Sequence, residues 1–471
     1  MSEQEGVTVL KSNFSEWYQQ VIRKAGFADY SAVSGCMVIE PYGYAVWELI
    51  QRELDARFKS RGVRNAYYPM LIPKHLFEKE REHVEGFNPE VAWVTKAGDT
   101  PLDEQLAIRP TSETIMYEHF SKKIRSWRDL PYKVNQWVNI VRWEFKHPKL
   151  FLRTREFLWQ EGHTAFATKE EAEDDMKQAL DDYKYVYEHL LAVPVTAGEK
   201  TQSDKFAGAD YSWTLDIVMP DGKMIQGATV HHLGQRFSRM FDIQFLDKSG
   251  NKKYVYQNSW GFATRAIGAL IAIHGDDKGA ILPPRVAPIQ VVVVPIFTSE
   301  NKPEVMKYML LVESKLKAFR YEVDLRDRRP GWKFNYWELK GVPVRLEVGP
   351  KDADSDKVTV VRRDTGEKSR VPLTDLESYI DSLLVEIHDN LYNRARKLQD
   401  RLTVKISSID EVENKNVRYF TAWCGSAECE DKMREKGFSP ACVPFDASPP
   451  SDTCFVCGKP AKYAMYWGRF Y

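Results

Sequence analysis

Long hydrophobic runs are missing from this sequence of 471 residues. The longest nearly unbroken one, Val286 to Phe297, falls far short of the roughly 20 apolar residues that a membrane-spanning helix needs. The opening stretch, Met1 to Lys11, is polar and acidic and lacks the basic-then-apolar pattern of a secretory signal. A cytoplasmic protein without membrane contact is expected. An excess of one charge is missing too: 67 Lys and Arg face 67 Asp and Glu. No bulk field announces a polyanionic partner, so any nucleic-acid contact has to come from local patches. Cysteine is scarce and uneven. Five of the six lie between Cys424 and Cys457, which argues against a disulfide framework and for a metal site at one end of a reduced protein. Cys36 stands alone and is expected to be buried. Internal repeats and low-complexity tracts are absent, and the length suggests about three domains.

Apolar periodicity divides the chain. From Pro41 to Phe58, Val46, Leu49, Ile50, Leu54 and Phe58 recur at helical spacing, with proline in the tolerant first turn and Gly62 past the end. A strand is expected next, over Arg64 to Met70. Val134 to Phe145 and Phe151 to His163 read as a long antiparallel hairpin with a basic tip at Lys146 to Leu150. Thr168 and Glu171 form a capping box ahead of an amphipathic helix bearing Ala172, Met176, Leu180, Tyr183, Tyr187 and Leu190. Tyr211, Trp213, Leu215 and Ile217 then alternate with Ser212, Thr214 and Asp216, and the turn Pro220-Asp221-Gly222 returns the chain into another strand. Such meanders build antiparallel sheets. Asp276 to Pro288 has linker composition. After it the texture becomes α/β: a buried-strand run at Val291 to Ile296, a helix near Pro303 to Phe319 and a short strand at Glu322 to Leu325. The expected fold is α+β, with an antiparallel-sheet domain over residues 1–280, an α/β domain over 281–400 and a small cysteine-bearing α/β domain over 401–471.

The strings that carry chemistry are spread along these elements. Ala66-Tyr67-Tyr68-Pro69 ends the first strand. Arg142-Trp143-Glu144 lies on the hairpin and Arg153-Thr154-Arg155-Glu156 on its return, while Gly261-Phe262-Ala263-Thr264-Arg265 opens an apolar helix. Between them come Arg109-Pro110-Thr111-Ser112-Glu113-Thr114, Trp159-Gln160-Glu161-Gly162-His163, Lys205-Phe206-Ala207-Gly208-Ala209, His231-His232-Leu233-Gly234-Gln235 and Ser259-Trp260-Gly261. Taken singly, each arginine reads as a surface ion-pair partner. Trp159 and Phe206 read equally as core aromatics, and His163 and His231 as structural histidines or metal ligands. Trp159, Glu161 and His163 alternate on one strand and therefore share a face, which favours a common pocket. Cys424-x4-Cys429 and Cys454-x2-Cys457 offer four thiolates in two close pairs, the donor set of tetrahedral structural zinc. Cys442 is an extra thiol that could replace one of them.

In this order and on these elements the strings resemble the three signature motifs of class II aminoacyl-tRNA synthetases. From Phe14 to Tyr471 the chain resembles prolyl-tRNA synthetases of the archaeal and eukaryotic type. The resemblance implies a homodimer with the proline of the first motif at its interface, L-proline and ATP with Mg2+ as ligands, and tRNA(Pro) as acceptor of the prolyl group. It assigns Arg142, Glu144 and Arg265 to catalysis. It gives Thr111 and Glu113 to the proline nitrogen, Arg142 to its carboxylate, and Trp159, Glu161, His163, Phe206, His231, Ser259 and Gly261 to the pocket. The nucleotide subsite would hold Arg142, Glu144, Arg153, Thr154, Gln226, Thr229, Ala263 and Arg265. The basic and aromatic stretch from Leu325 to Asp352 would read the two guanines of proline anticodons through Glu338, Arg345, Lys351 and Asp352; a solvated charged face is the competing reading. A zinc domain would close the chain, with Tyr471 reaching toward the active site.

Physical chemistry agrees with those residue types. Activation brings a carboxylate against the α-phosphate of ATP, and only fixed cations hold two like charges in line. Arginine pairs bidentately with carboxylate or phosphate and stays charged; no protein nucleophile is needed, because such catalysis is positioning plus electrostatics. Two other readings remain at this point: a threonyl, seryl, glycyl or histidyl relative, and a catalytically silent RNA-binding paralogue. The Trp159 to His163 string speaks against the first, and joint retention of Arg142, Glu144 and Arg265 against the second. No editing insert fits between Arg142 and Arg265, so a separate protein would clear mischarged tRNA.

Overall fold

The computed structural model describes residues 6–83, 90–143 and 148–471. Helix α1 (Phe14–Lys24) buries Trp17, Tyr18, Val21 and Ile22, and α2 (Pro41–Ser60) buries Val46, Trp47, Ile50, Leu54 and Phe58 on one stripe. Gly62 follows at φ +79°, the left-handed stop that glycine adopts without strain. The strand expected over Arg64 to Met70 is only β1 (Arg64–Asn65). Pro69 has no N–H to offer a ladder, and pairing resumes at Leu71–Pro73 in a separate small sheet.

The central sheet is built by β1, β2 (Tyr132–Val141), β3 (Glu156–Phe166), β4 (Thr196–Glu199), β5 (Tyr211–Val218), β6 (Met224–Gly234) and β7 (Tyr256–Ala263). Its order runs β4-β5-β6-β7-β3-β2-β1, antiparallel except for the β1–β2 pair. The hairpin return begins at Glu156 and not at Phe151, because Phe151 takes a left-handed φ of 62° that no strand accommodates. Helices α3 (Glu113–Lys123), α4 (Lys169–Tyr185) and α5 (Arg265–His274) cover or abut the sheet together with α2, whose Trp47 stacks on Phe262 and whose Phe58 packs on Trp260. The capping box of α4 forms as expected, Thr168 and Glu171 each donating a backbone N–H to the other's side chain at 3.2 Å. The apolar stripe continues through one π turn, Val186–Leu190.

Residues 276–288, linker-like in composition, are a packed connector. Ala280, Ile281, Leu282, Val286 and Ala287 are fully buried, and the N–H groups of Ala280 and Leu282 donate to Leu339 O and Gly341 O at 3.0 Å. The prolines stiffen this segment, which is held by the next unit's backbone. That unit holds β8 (Val291–Pro295), β9 (Tyr321–Val323), β10 (Val344–Val348), β11 (Lys357–Arg362) and β12 (Lys368–Pro372), in the order β9-β8-β10-β11-β12. Around them lie α6 (Lys302–Ser314), α7 (Pro330–Lys340), α8 (Pro350–Ser355) and α9 (Leu376–Arg401). Strands β8 and β10 pair in parallel and every residue of both is buried, as a parallel strand covered on both faces requires.

The last unit has β13 (Thr403–Lys405), β14 (Arg418–Trp423), α10 (Ala427–Glu435), β15 (Ser439–Pro444) and β16 (Tyr463–Gly468). Its sheet is not separate. Val443 and Pro444 of β15 pair with Glu199 and Gly198 of β4, which makes one eleven-stranded sheet ordered β13-β14-β16-β15-β4-β5-β6-β7-β3-β2-β1. Gly198 permits this: a Cβ there would sit 2.4 Å from Val443 O and 2.8 Å from Cys442 Sγ. No helix among the described residues is long and apolar enough to cross a membrane.

Candidate active site

A cavity of about 250 Å³ opens on one face of β3, β7 and β6. Strand register writes its floor as rows. His163 stands opposite Ser259, which stands opposite His231, which stands opposite Ser212. The next row is Glu161, Gly261 and Thr229, and Trp159 faces Ala263 in the third. Alternation along β3 thus sends Trp159, Glu161 and His163 into the cavity while Gln160 turns away to accept from Tyr183 Oη at 2.6 Å. Gly261 keeps the middle row open; a Cβ on it would lie 3.4 Å from the Trp159 ring.

The polar end of the floor is a closed hydrogen-bond network. Ser112 Oγ and Gln136 Nε2 donate to Glu161 Oε1 at 2.5 and 2.7 Å, and His163 Nε2 lies 3.1 Å from Glu161 Oε2. Thr111 Oγ1 donates to Glu113 Oε2, and Tyr117 Oη meets His163 Nδ1 at 3.0 Å. Burial alone would push the Glu161 carboxyl up, but the hydrogen bond and charge of His163, with Ser112 and Gln136, bring it below the usual carboxylate range. Burial likewise opposes protonation of His163, and the bond to Glu161 with the charges of Glu113 and Glu161 overcomes it, so its pKa is raised. Glu113, Glu161 and His163 converge closely enough to hold a metal ion, yet Glu161 and His163 already bond each other and Glu113 accepts from Thr111.

His231 is the opposite case. Burial, then the cations Arg142, His163 and Lys200, drive its pKa down to about 3, so it stays neutral and serves as a flat wall. Its Nδ1 is 2.8 Å from Ser212 Oγ, and the Phe206 ring stacks on it at 4.6 Å. Arg142 Nε donates to Pro110 O at 3.1 Å, and its guanidinium lies 5.6 Å from the centre of the Trp159 ring.

Cations gather at the far end. Arg265, first residue of α5, is half-buried; desolvation first and then the repulsion of Arg142 and Arg153 lower its pKa to about 10, against an opposing pull from Tyr187. Arg265 Nη1 donates to Gln226 O at 3.3 Å. Thr154, Gln226, Thr229 and Ala263 line the same end. Guanidiniums set beside a helix N-terminus make a site for an anion.

The ten residues expected to surround an amino acid, Thr111, Glu113, Arg142, Trp159, Glu161, His163, Phe206, His231, Ser259 and Gly261, all line this one cavity. Of the nucleotide set, Arg153 does not line the cavity but is close enough to act on Arg265, and Glu144 lies outside the described residues. Sequence reasoning missed Phe151, Leu152, Phe157, Lys200, Asp204 and Ser212, which also line the cavity. Lys200 is buried, and its Nζ pairs with Asp204 at 2.8 Å; its nearness to the Lys205-Phe206 string was the available signal.

Elsewhere, Glu338 and Arg345 pair at 3.2 Å, and Arg345 also meets Glu347 at 3.0 Å. Asp352 turns inward, accepting from Gly349 N and Thr359 Oγ1 at 3.0 Å each, whereas Lys351 is exposed. The thiols of Cys424, Cys429, Cys454 and Cys457 converge, with sulfur separations of 3.7 Å (424–429), 4.0 Å (429–454) and 3.7 Å (424–457). Cys442 is not among them; it is buried beside Gly198. Cys36 is only half-buried, because it follows a turn whose Ala32, Val33 and Ser34 are exposed. Tyr471 Oη donates to Asp221 Oδ2 at 2.6 Å and its N–H to Met224 O at 3.2 Å, two residues before Gln226.

Comparison with known proteins agrees with this geometry. Residues 93–274 match the tRNA synthetase class II core domain (G, H, P, S and T), residues 290–383 an anticodon binding domain, and residues 408–471 the prolyl-tRNA synthetase C-terminal family. A proline--tRNA ligase of Ruminiclostridium cellulolyticum is 48% identical over 473 residues, covering 99% of this chain and 98% of its own. Proline--tRNA ligase 2 of Bacillus cereus is 46% identical, with 99% of each chain covered. Among solved structures, the prolyl-tRNA synthetase of Cryptosporidium parvum complexed with L-proline and AMP superposes with a TM-score of 0.91 at 44% identity, over 99% of this chain and 100% of that one. The same enzyme complexed with halofuginone and AMPPNP gives a TM-score of 0.94. With the class II core, the anticodon-binding unit and the C-terminal unit matched in order, and whole-length relatives so similar, the chain belongs to the prolyl-tRNA synthetases.

Proposed function

We propose that the cavity binds L-proline at its acid–histidine end and ATP at its guanidinium end, forms prolyl-adenylate, and passes the prolyl group to the 3′-terminal adenosine of tRNA(Pro). The carrying observation is that the two ends share one floor, with Arg142 between them. Glu113 and Thr111 receive the ring ammonium, Trp159, Phe206 and neutral His231 flank the ring, and Arg142 holds the carboxylate against the α-phosphate. A carboxylate oxygen attacks the α-phosphorus, the bond to the bridging oxygen breaks, and pyrophosphate leaves with the electron pair. Arg265, with Arg153, Thr154, Gln226 and Thr229, holds the phosphates and base-side groups in line. Mg2+ prefers oxygen donors, and the described groups at this end are mainly cations and neutral amides, so the phosphates themselves would carry it and it would offset their charge. Transfer follows when the terminal ribose hydroxyl attacks the prolyl carbonyl and AMP departs.

The remaining assignments follow from the same reading. Residues 1–280 form the catalytic domain, 281–400 the anticodon domain and 401–471 the zinc domain. The Glu338–Arg345 pair and exposed Lys351 suit guanine edges, with Asp352 holding α8 in place. Tetrahedral zinc with bonds of about 2.3 Å requires sulfur–sulfur edges of about 3.8 Å, close to the separations of the four thiols, so Cys424, Cys429, Cys454 and Cys457 would hold Zn2+. The exposed Tyr67, Met70 and Trp93 around Pro69 suit a homodimer interface in a cytoplasmic enzyme. The stretch between Arg142 and Arg265 is taken up by the central sheet and its helices, which supports the archaeal and eukaryotic type without an editing domain and a separate protein that deacylates mischarged tRNA. Proline-dependent exchange of pyrophosphate into ATP, compared across twenty amino acids, tests the reading; exchange with none of them would sink it.

A further inference from the structure

Phe206 forms its wall from a turn-rich segment, Thr201 to Asp210, between β4 and β5. A wall on such a segment needs anchors. On the pocket side, the Phe206 N–H donates to Ser212 Oγ at 3.1 Å, the hydroxyl that also meets His231. On the outer side the anchors come from the C-terminal unit. Glu430 of α10, only 3% exposed, accepts from Ser203 Oγ and from Thr201 Oγ1, the latter at 3.3 Å. Arg434, one turn on, donates to Glu430 Oε1 at 2.8 Å and to Ser203 Oγ at 3.0 Å. The N–H groups of Asp204 and Lys205 donate back to Thr201 O at 3.1 and 2.9 Å, so a shift of Thr201 reaches Phe206 through two peptide units. Asp204 is tied in addition to Lys200, whose Nζ sits 5.3 Å from the centre of the Phe470 ring.

A carboxylate this buried persists where charge-assisted hydrogen bonds repay its desolvation. Glu430 spends those bonds on a segment remote in sequence that carries part of the pocket wall. We propose that Glu430, with Arg434, is a positioning residue for amino-acid binding: it fixes Thr201 and Ser203, and through them Phe206, so the C-terminal unit sets the width of the proline site. This rests on the reading of the cavity as the proline site. Cys429 precedes Glu430 on α10, so an ion held by the four thiols would steady the helix from which the latch projects.

The test compares full-length wild type with Glu430→Ala, Glu430→Gln and the double variant Thr201→Val/Ser203→Ala, by hydrogen exchange over residues 201–209 and by steady-state pyrophosphate exchange. For Glu430→Ala the expectation is faster exchange at the Phe206 amide and a proline KM raised about tenfold, with the ATP KM within about twofold. Glu430→Gln, whose amide oxygen still accepts from both hydroxyls, restores most of both. The double variant leaves α10 and the C-terminal core intact, and it reproduces the effect even if Glu430→Ala does not fold. Unchanged hydrogen exchange over 201–209 in the double variant overturns the proposal, and so does a parallel change of kcat and both KM values. Failure of the wild type to show proline-dependent exchange removes the reading of the site instead, while hydrogen exchange still decides the latch.

Discussion

At the end of the cavity floored by Glu161 and His163, those two charges pair within hydrogen-bond reach and Glu113 accepts from Thr111, whereas at the end where Arg265 opens α5, guanidiniums press on one another. The first end is complete before a ligand arrives. Its ring of donors and acceptors fixes shape, so an amino acid meets a preorganised surface. The second is incomplete: burial first, and then the repulsion of Arg142 and Arg153, lowers the basicity of Arg265, and an arriving polyanion offsets that repulsion. On the proposed reading, recognition of the small substrate depends on fit, and recognition of the nucleotide on charge.

Four measurements break or sharpen this contrast. Arg142 lies where the ends meet, so Arg142→Ala is expected to slow proline-dependent exchange by about 10²–10³ while leaving the melting temperature near wild type; near-normal exchange would detach the two ends. Alanine probes the fitted end by omission. It lacks two methylenes, about 1.6 kcal/mol at roughly 0.8 each, and pockets discriminate such differences by about 10- to 200-fold. Measurable alanine-dependent exchange within that ratio is expected, and rapid hydrolysis of alanyl-tRNA by this chain alone would reveal an unseen editing site.

Glu161→Gln is expected to raise the proline KM about tenfold with little change for ATP. It also moves the pH profile. The raised pKa of His163 means its favourable contribution is complete below the ordinary histidine value and is lost as pH rises through the raised one. The depressed pKa of Glu161 means its contribution is complete above the ordinary carboxylate value and is lost as pH falls through the depressed one. Stability should be flattest between those limits, with the alkaline limb of the melting-temperature profile shifted downward in Glu161→Gln; an unmoved limb would uncouple His163 from Glu161. The smallest effect at the cavity is expected from Cys457→Ser or chelation. Either should lower the melting temperature, because bound metal supplies folding energy in such units, and raise the proline KM by about two- to threefold through the loosened α10. Elemental analysis finding no zinc, with melting unaffected by chelator, would remove the metal.

What the sequence made legible follows the periods of its elements. Trp159, Glu161 and His163 announced a shared face because side chains on a strand alternate, and Thr168 with Glu171 announced the start of α4 because capping is local. Row partners were not legible from spacing: nothing in Ser259 or Gly261 says that they stand opposite His163 and Glu161, since strand neighbours are chosen by the whole sheet. Lys200 and Asp204 escaped because a lysine and an aspartate in a polar segment look solvated, and only tertiary packing buries Lys200 and holds Asp204 against it. Phe151 read as strand until its left-handed backbone turned it into the cavity. The proline-rich connector read as a loose linker because composition reports stiffness poorly and burial not at all.

The ladder between Val443 and Glu199 has a consequence for any attempt to shorten this protein. Removing the chain from Thr403 onward would bare the backbone of β4, two strands from His231, and an uncovered strand edge is a template for pairing with another molecule. A truncated catalytic fragment should therefore tend to self-associate, however intact its chemistry. The C-terminal module is in this sense a selvedge woven into the sheet, and it cannot be unpicked without fraying the side that floors the cavity.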